Sequence, residues 1–144
     1  MRLLRVASQG ITACVDPVLR PAGLTESSYH TLIIVMAAGV DGTTPTALCT
    51  QVGQAAANMT RILEVLRREA LIEIRLDPRD GRRRRVFITQ RGTLVVQDYA
   101  KQLTPIVNTA LSGVSAEDKV SFERLLRAIV ASLDKAEAMA GGGA

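Results

Sequence analysis

Apolar positions keep a helical beat along most of this chain and break it once. Leu4, Ala7, Ile11, Val15 and Val18 recur at three- or four-residue steps, which predicts a helix over residues 2–19. Pro17 is expected to kink or end that helix, and Pro21 with Gly23 marks the turn after it. Thr25 suits the cap of a second helix, with Glu26 at its favourable end and Leu24 placed to staple onto Tyr29. That helix is predicted to reach Ala38, where Gly39 and the Asp41-Gly42 pair stop it. Thr44 caps a short helix from Pro45, a favoured first helical position, to Val52, and Gly53 turns the chain. From Gln54 to Glu69 another helix follows. Met59, Ile62, Leu63, Leu66 and Ala70 share its apolar face, while Asn58, Arg61, Glu64 and Arg68 lie mostly on the other. Two helices joined by a tight glycine turn form a helix-turn-helix pattern.

The beat then changes. Leu71 to Leu76 reads as a strand, with Leu71, Ile74 and Leu76 apolar, and Val86 to Thr89 reads as the returning strand. Asp77-Pro78 and Asp80-Gly81 are turn signals between them, so the arginines there are expected on a projecting loop. Thr89 can cap a long helix from Gln90 to Ala110, interrupted before Pro105. Ser115 caps the last helix, with Asp118 in the capping-box position. Val120, Leu125, Leu126, Ile129, Val130 and Leu133 give that helix a broad apolar face. The first and last helices are therefore candidates for a dimer interface, burial against their own domain being the alternative. The tail, residues 141–144, reads as disordered. The predicted architecture is mainly α with a small β-hairpin wing: a winged helix-turn-helix domain, 24–92, flanked by N- and C-terminal helices over 1–22 and 93–140.

Composition narrows the function. At 144 residues the chain is one domain by length, and 47% hydrophobic residues can fill a core. Aromatics are only 3% and tryptophan is absent, which argues against an aromatic platform for stacked bases. The longest apolar run, Leu32 to Val40, is nine residues, about half of what a membrane span needs. The first ten residues lack the apolar stretch of a secretory signal. Two distant cysteines make no disulfide framework and fit a reducing cytoplasm. There is one histidine, no metal-ligand spacing, no glycine-rich phosphate loop and no nucleophile elbow, so neither an enzyme, a metal nor a cofactor is expected.

Charge changes the picture more. The chain carries a net +4, and the segment Gln54–Arg91 alone has ten arginines against five acidic residues, a net of +5. Arg79, Arg82, Arg83, Arg84, Arg85 and Arg91 are opposed locally only by Asp80. A local cationic feature on a neutral body suits a polyanion partner; a solvated loop that only aids solubility is the alternative.

The stretches LTESSYHTLIIV, AAANMTRILEVLRREALI and DPRDGRRRRVFITQRG resemble the MarR family of bacterial transcription regulators over residues 24–92. In the family the third stretch reads approximately D-P-x-D-x-R, then a strand ending in Leu-Thr, then a glycine. Here Asp77, Pro78, Asp80, Arg82, Ile88, Thr89 and Gly92 stand at those positions. The resemblance implies a homodimer on a pseudo-palindromic operator in double-stranded DNA. Each recognition helix would enter a major groove, and each wing would reach a neighbouring minor groove. Gln54, Ala57, Asn58, Thr60 and Arg61 would form the DNA-facing end of the recognition helix. Arg79, Asp80, Arg82, Arg83 and Arg84 would form the wing, with Asp80 pairing with Arg82 to fix its direction. Two departures stand out: Ala70 where the family usually has glycine, which suggests a less left-handed exit from the helix, and Ile74 where it often has arginine.

Many members of the family release DNA when a small aromatic acid or phenol binds beside the dimerisation helices. Arg20, Tyr29 and His30 are the candidates for such a site here, Tyr29 and His30 being equally readable as half-buried core residues. Cys14 and Cys49 match the family's oxidant sensors poorly and are expected to behave as small buried hydrophobes. The expectation is thus a cytoplasmic, DNA-binding repressor released by an aromatic ligand. A winged-helix interaction module without DNA binding, or a cysteine-based oxidant-sensing regulator, are the alternatives.

Overall fold

The computed structural model describes residues 2–77 and 80–141, with side chains to residue 133. Pro78, Arg79 and residues 142–144 of the expected tail lie outside the described residues. Among the described residues six helices and one hairpin follow in order: α1 (Arg2–Leu19), α2 (Glu26–Ala37), α3 (Pro45–Val52), α4 (Ala56–Arg68), β1 (Ile72–Asp77), β2 (Asp80–Ile88), α5 (Gln90–Ala110) and α6 (Ala116–Gly141). Short 3-10 turns at Arg20–Ala22 and Gly39–Asp41 flank α2. The chain forms two compact units, residues 1–107 and 108–144.

Local chemistry fixes most boundaries. Thr25 and Ser28 cap α2 reciprocally, Ser28 N donating to Thr25 Oγ1 and Thr25 N to Ser28 Oγ. Thr44 accepts from Ala47 N at 3.2 Å at the head of α3, and left-handed Gly53 closes its tail. Ser115 accepts from Asp118 N at 3.1 Å and donates to its carboxylate at 2.6 Å, which starts α6. Both prolines expected to interrupt helices are absorbed: α1 continues through Pro17 and α5 through Pro105. Pro17 and Pro105 each lack the amide that would bond the carbonyl four residues back, and each helix runs on with that one bond missing. Gly141, expected in the tail, still belongs to α6.

The core of the first unit is built by Leu19, Leu32, Val35, Leu48, Met59, Leu66, Ile72 and Val86, all 2% exposed or less. It joins one face of each of α1 to α4 to the base of the hairpin. Tyr29 is inside it: its hydroxyl donates to the Val96 carbonyl at 3.1 Å, and its ring meets that of Tyr99 edge-on at 6.4 Å. Burial raises the Tyr29 phenol above its ordinary pKa of 10.0.

The hairpin departs from the predicted one in three ways. First, β2 begins at Asp80, so Arg82 to Arg85 are strand residues and not loop residues. Antiparallel pairing runs from Ile72–Ile88 to Leu76–Arg84, with an irregularity after Leu76. Second, the buried apolar residue of β1 is Ile72, with Asp77 buried at the strand's end; Leu76, expected as an apolar strand position, is 62% exposed opposite Arg84. Third, Thr43 bridges the far edge of β2 through two bonds with Val86, of 3.0 and 2.8 Å. Gly42 makes that approach possible: at φ 60°, a Cβ there would lie 2.6 Å from the Phe87 ring.

Ala70 also corrects an expectation. It leaves α4 at φ 56°, fully left-handed, although it is not glycine. The neighbouring bonds explain why the backbone accepts this strain. Leu71 N donates to Leu66 O at 2.9 Å, and the Thr89 hydroxyl donates to Ala70 O at 2.8 Å, closing the helix onto the hairpin. Thr89 also accepts from Gly92 N at 3.0 Å and so caps α5.

Candidate nucleic-acid interface

The recognition-helix candidate α4 buries Met59, Ile62, Leu63 and Leu66. This turns Ala57, Asn58, Thr60, Arg61, Glu64 and Arg67 outward, all exposed. Its N-cap is Ala55, which supplies no side-chain acceptor, so the first-turn amides keep their donors for another partner. Gln54 was expected inside the helix. It lies in the preceding turn instead, half-buried, with both ends of its side-chain amide engaged: Nε2 donates to Ser27 Oγ at 3.2 Å and Oε1 accepts from Asn58 Nδ2 at 2.5 Å. Thr60, read as a donor to phosphate, directs its hydroxyl hydrogen to the Ala56 carbonyl at 2.9 Å.

On the wing, strand alternation sorts the four consecutive arginines. Arg82 and Arg84 share the face of Val86, toward α4; Arg83 and Arg85 share the face of Phe87. Arg85 is a structural residue. Its Nε meets Asp77 Oδ2 at 2.7 Å, and its Nη1 donates to the Asp41 carbonyl at 2.7 Å. Asp77, read from the sequence as a turn former, is buried at 6% exposure. Arg75 stands opposite Arg85 in the ladder; it pairs with Glu73 and lies over the Phe87 ring, 5.3 Å from its centroid. Two like charges face each other there, each held by its own carboxylate.

The expected Asp80–Arg82 ion pair does not form. Asp80 Oδ1 accepts from the backbone amide of Arg82 at 3.1 Å, and Oδ2 pairs with Arg83 Nε at 3.2 Å. These two bonds occupy both carboxylate oxygens of Asp80. Among the described residues, the guanidiniums of Arg82 and Arg84 have no ion pair. Arg79 lies outside the described residues. Arg84 also lines a cleft of about 490 Å³ between α4 and the hairpin, with Pro45, Thr60, Glu64, Arg67 and Leu76 on its walls.

The two ends of the site are held as one piece. α4 joins β1 through the Ala70 exit, and the hairpin is stitched to the loop before α3 by Thr43–Val86 and by Arg85–Asp41. The sequence pattern marked neither Ser27 as a partner of Gln54 nor Asp77 and Arg85 as a pair. In a run of four identical side chains no local signal marks the one that turns to a buried carboxylate.

The remaining candidates do not gather. Tyr29 is buried in the core, whereas Arg20 and His30 are exposed. Cys14 is exposed and Cys49 half-buried, so the expectation that both are buried fails for Cys14, which sits on the outer face of α1. No helix among the described residues is long and apolar enough to cross a membrane.

No protein-family profile matches the chain, and no curated protein matches it. Solved structures do. An S. aureus MepR–DNA complex superposes with a TM-score of 0.78 at 24% identity, covering 91% of this chain and 96% of that one. A mutant E. coli MarR complexed with operator DNA gives 0.77 at 20% identity, over 89% and 91%. CouR from Rhodococcus jostii RHA1, bound to p-coumaroyl-CoA, gives 0.82 at 20% identity, over 89% of each chain. The chain therefore has the winged helix fold of MarR-family regulators, the fold that the three sequence stretches implied.

Proposed function

We propose that the chain is a sequence-specific DNA-binding transcriptional regulator of the MarR type, working as a homodimer. One observation carries this reading: Thr60, Glu64 and Arg67 of α4 and Arg84 of β2 line the same cleft, in a fold shared with two proteins solved on DNA. A polyanion fits both: Asn58 and Arg61 offer donors and an acceptor for base edges, and the wing arginines offer permanent charge for phosphates and a narrow minor groove. Residues 24–92 would hold the duplex, and the helices over 1–22 and 93–140 would make the dimer. Exposed Leu3, Leu4, Val6 and Ile11 on α1 and Val120, Phe122, Leu125, Ile129, Val130 and Leu133 on α6 favour this, since such faces seek a partner. Half-site centres then stand about 34–36 Å apart. Such a protein acts in the cytoplasm and is not an enzyme.

The finer reading is a repressor released by a small aromatic acid or phenol. It is favoured by the likeness to CouR, whose structure holds p-coumaroyl-CoA. The decisive experiment is fluorescence anisotropy against DNA from upstream of the protein's own gene, at two salt concentrations, with a scrambled duplex as control. Tight, salt-sensitive binding that beats the control supports the regulator. Equal binding to both duplexes, followed by a genome-wide pull-down that enriches no site, or a monomer by light scattering at micromolar concentration, refutes it. A thermal-shift series with aromatic acids, phenols and aromatic acyl-CoA thioesters tests the effector.

A further inference from the structure

Gln54 links two helices through its side chain. Its backbone is fixed first: Gln54 N donates to Cys49 O at 2.9 Å across the left-handed Gly53 turn. From that fixed point the amide reaches Ser27 of α2 with its nitrogen and Asn58 of α4 with its oxygen. A primary amide has a donor end and an acceptor end. Once the donor end is committed to Ser27 Oγ, the acceptor end faces Asn58, and only the Asn58 nitrogen satisfies it. The Asn58 amide is therefore tied to Gln54 through its nitrogen. One of its N–H groups is used; the second N–H and the carbonyl oxygen remain for a partner.

That remaining pair, one donor beside one acceptor, matches N7 and the N6 amino group of adenine in the major groove. A loose asparagine on an exposed helix face samples several rotamers and both flips, and that freedom is lost on binding. Here much of the ordering is complete before DNA arrives. We propose that Ser27 and Gln54 are positioning residues that set Asn58 to read adenine, so that a serine on α2 decides part of the sequence preference of α4. The inference rests on the regulator reading above.

The test is selection from a randomised duplex library, followed by sequencing, with the wild type, Ser27→Ala, Ser27→Thr and Asn58→Ala. The wild type enriches one adenine per half-site that Asn58→Ala no longer prefers. Ser27→Ala weakens that single preference about five-fold, the effect of one lost hydrogen bond. It leaves the other positions and the melting temperature unchanged. Ser27→Thr, which keeps the hydroxyl, restores the preference. A Ser27→Ala matrix equal to that of the wild type overturns the relay. So does a loss spread evenly over all positions, or an Asn58→Ala matrix that keeps the adenine. A wild type that enriches no sequence overturns the regulator reading itself, and the role of the relay with it.

Discussion

Replacing the four consecutive arginines of β2 one at a time should separate them by face. Arg82 and Arg84 lie on the face toward α4 without an ion pair among the described residues, so their charge is available to phosphate. Each phosphate contact contributes about 0.9 to the slope of log affinity against log salt. A homodimer carries every contact twice, so Arg82→Ala or Arg84→Ala should lower the slope by about 1.8. Between about 50 and 200 mM salt the variant then loses about twelve-fold less affinity than the parent. Arg85 belongs to the fold. Its bonds of 2.7 Å to Asp77 and 2.7 Å to the Asp41 carbonyl make Arg85→Ala cost about 2–3 kcal/mol, or roughly 6–10 °C in Tm. Arg83 pairs with Asp80 where both side chains are well exposed, at 73% and 45%, so Arg83→Ala should move neither quantity much. Anisotropy at four salt concentrations and a thermal melt of each variant decide the matter. Equal slope changes in all four variants would show that only total charge counts. An Arg85→Ala protein with an unchanged Tm would sink the structural assignment.

Ala70→Gly should stabilise the chain by about 1 kcal/mol, because it removes a left-handed Cβ at φ 56°; a lower Tm would mean that the exit from α4 is not left-handed. Gly92→Ala should cost about 3 kcal/mol or more, since its Cβ would stand 2.1 Å from the Leu71 carbonyl oxygen; a soluble variant melting within a degree or two of the parent would contradict that contact. Burial raises the Tyr29 phenol, so the unfolded chain releases that proton first. The stabilisation is complete below pH about 10 and declines as pH rises through the folded pKa, and Tyr29→Phe should flatten this part of a urea-midpoint profile against pH while costing about 1 kcal/mol at neutrality.

What the sequence disclosed follows the range of the forces involved. The limits of α3 were legible because Thr44, Pro45 and Gly53 act within one turn of themselves. The apolar face of α4 was legible through Met59, Ile62, Leu63 and Leu66, which repeat with the helix. The start of β2 was not, because Asp80-Gly81 carries a turn signal and arginine has no strand signature to oppose it; pairing with β1 extends the strand through them. Thr43 and Arg85 bond across the chain to Val86 and to Asp77 and Asp41, and no local pattern announces such partners. Ala70 was misread because its residue type disfavours the backbone that its neighbours impose. The exposure of Ala57, Asn58, Thr60, Arg61, Arg82 and Arg84 was legible in the pattern. Which of them are already bonded to the protein was visible only in three dimensions.

The length of β2 has a consequence for the protein before it meets any partner. A two-stranded hairpin leaves backbone donors and acceptors along its rims, and on the far side of β2, among the described residues, Thr43 alone bridges it, at Val86. Toward the tip, that rim offers a template on which a strand from another molecule could add. The side chains guarding it are Arg82, Arg83 and Arg84, all exposed, so an approaching copy of the same hairpin brings like charge against like charge. Screening weakens this guard over a Debye length of about 8 Å at physiological salt. Replacing all three with uncharged side chains would therefore do more than remove positive charge. It would leave a sticky edge on a protein that must stay dispersed at the concentrations of its own synthesis.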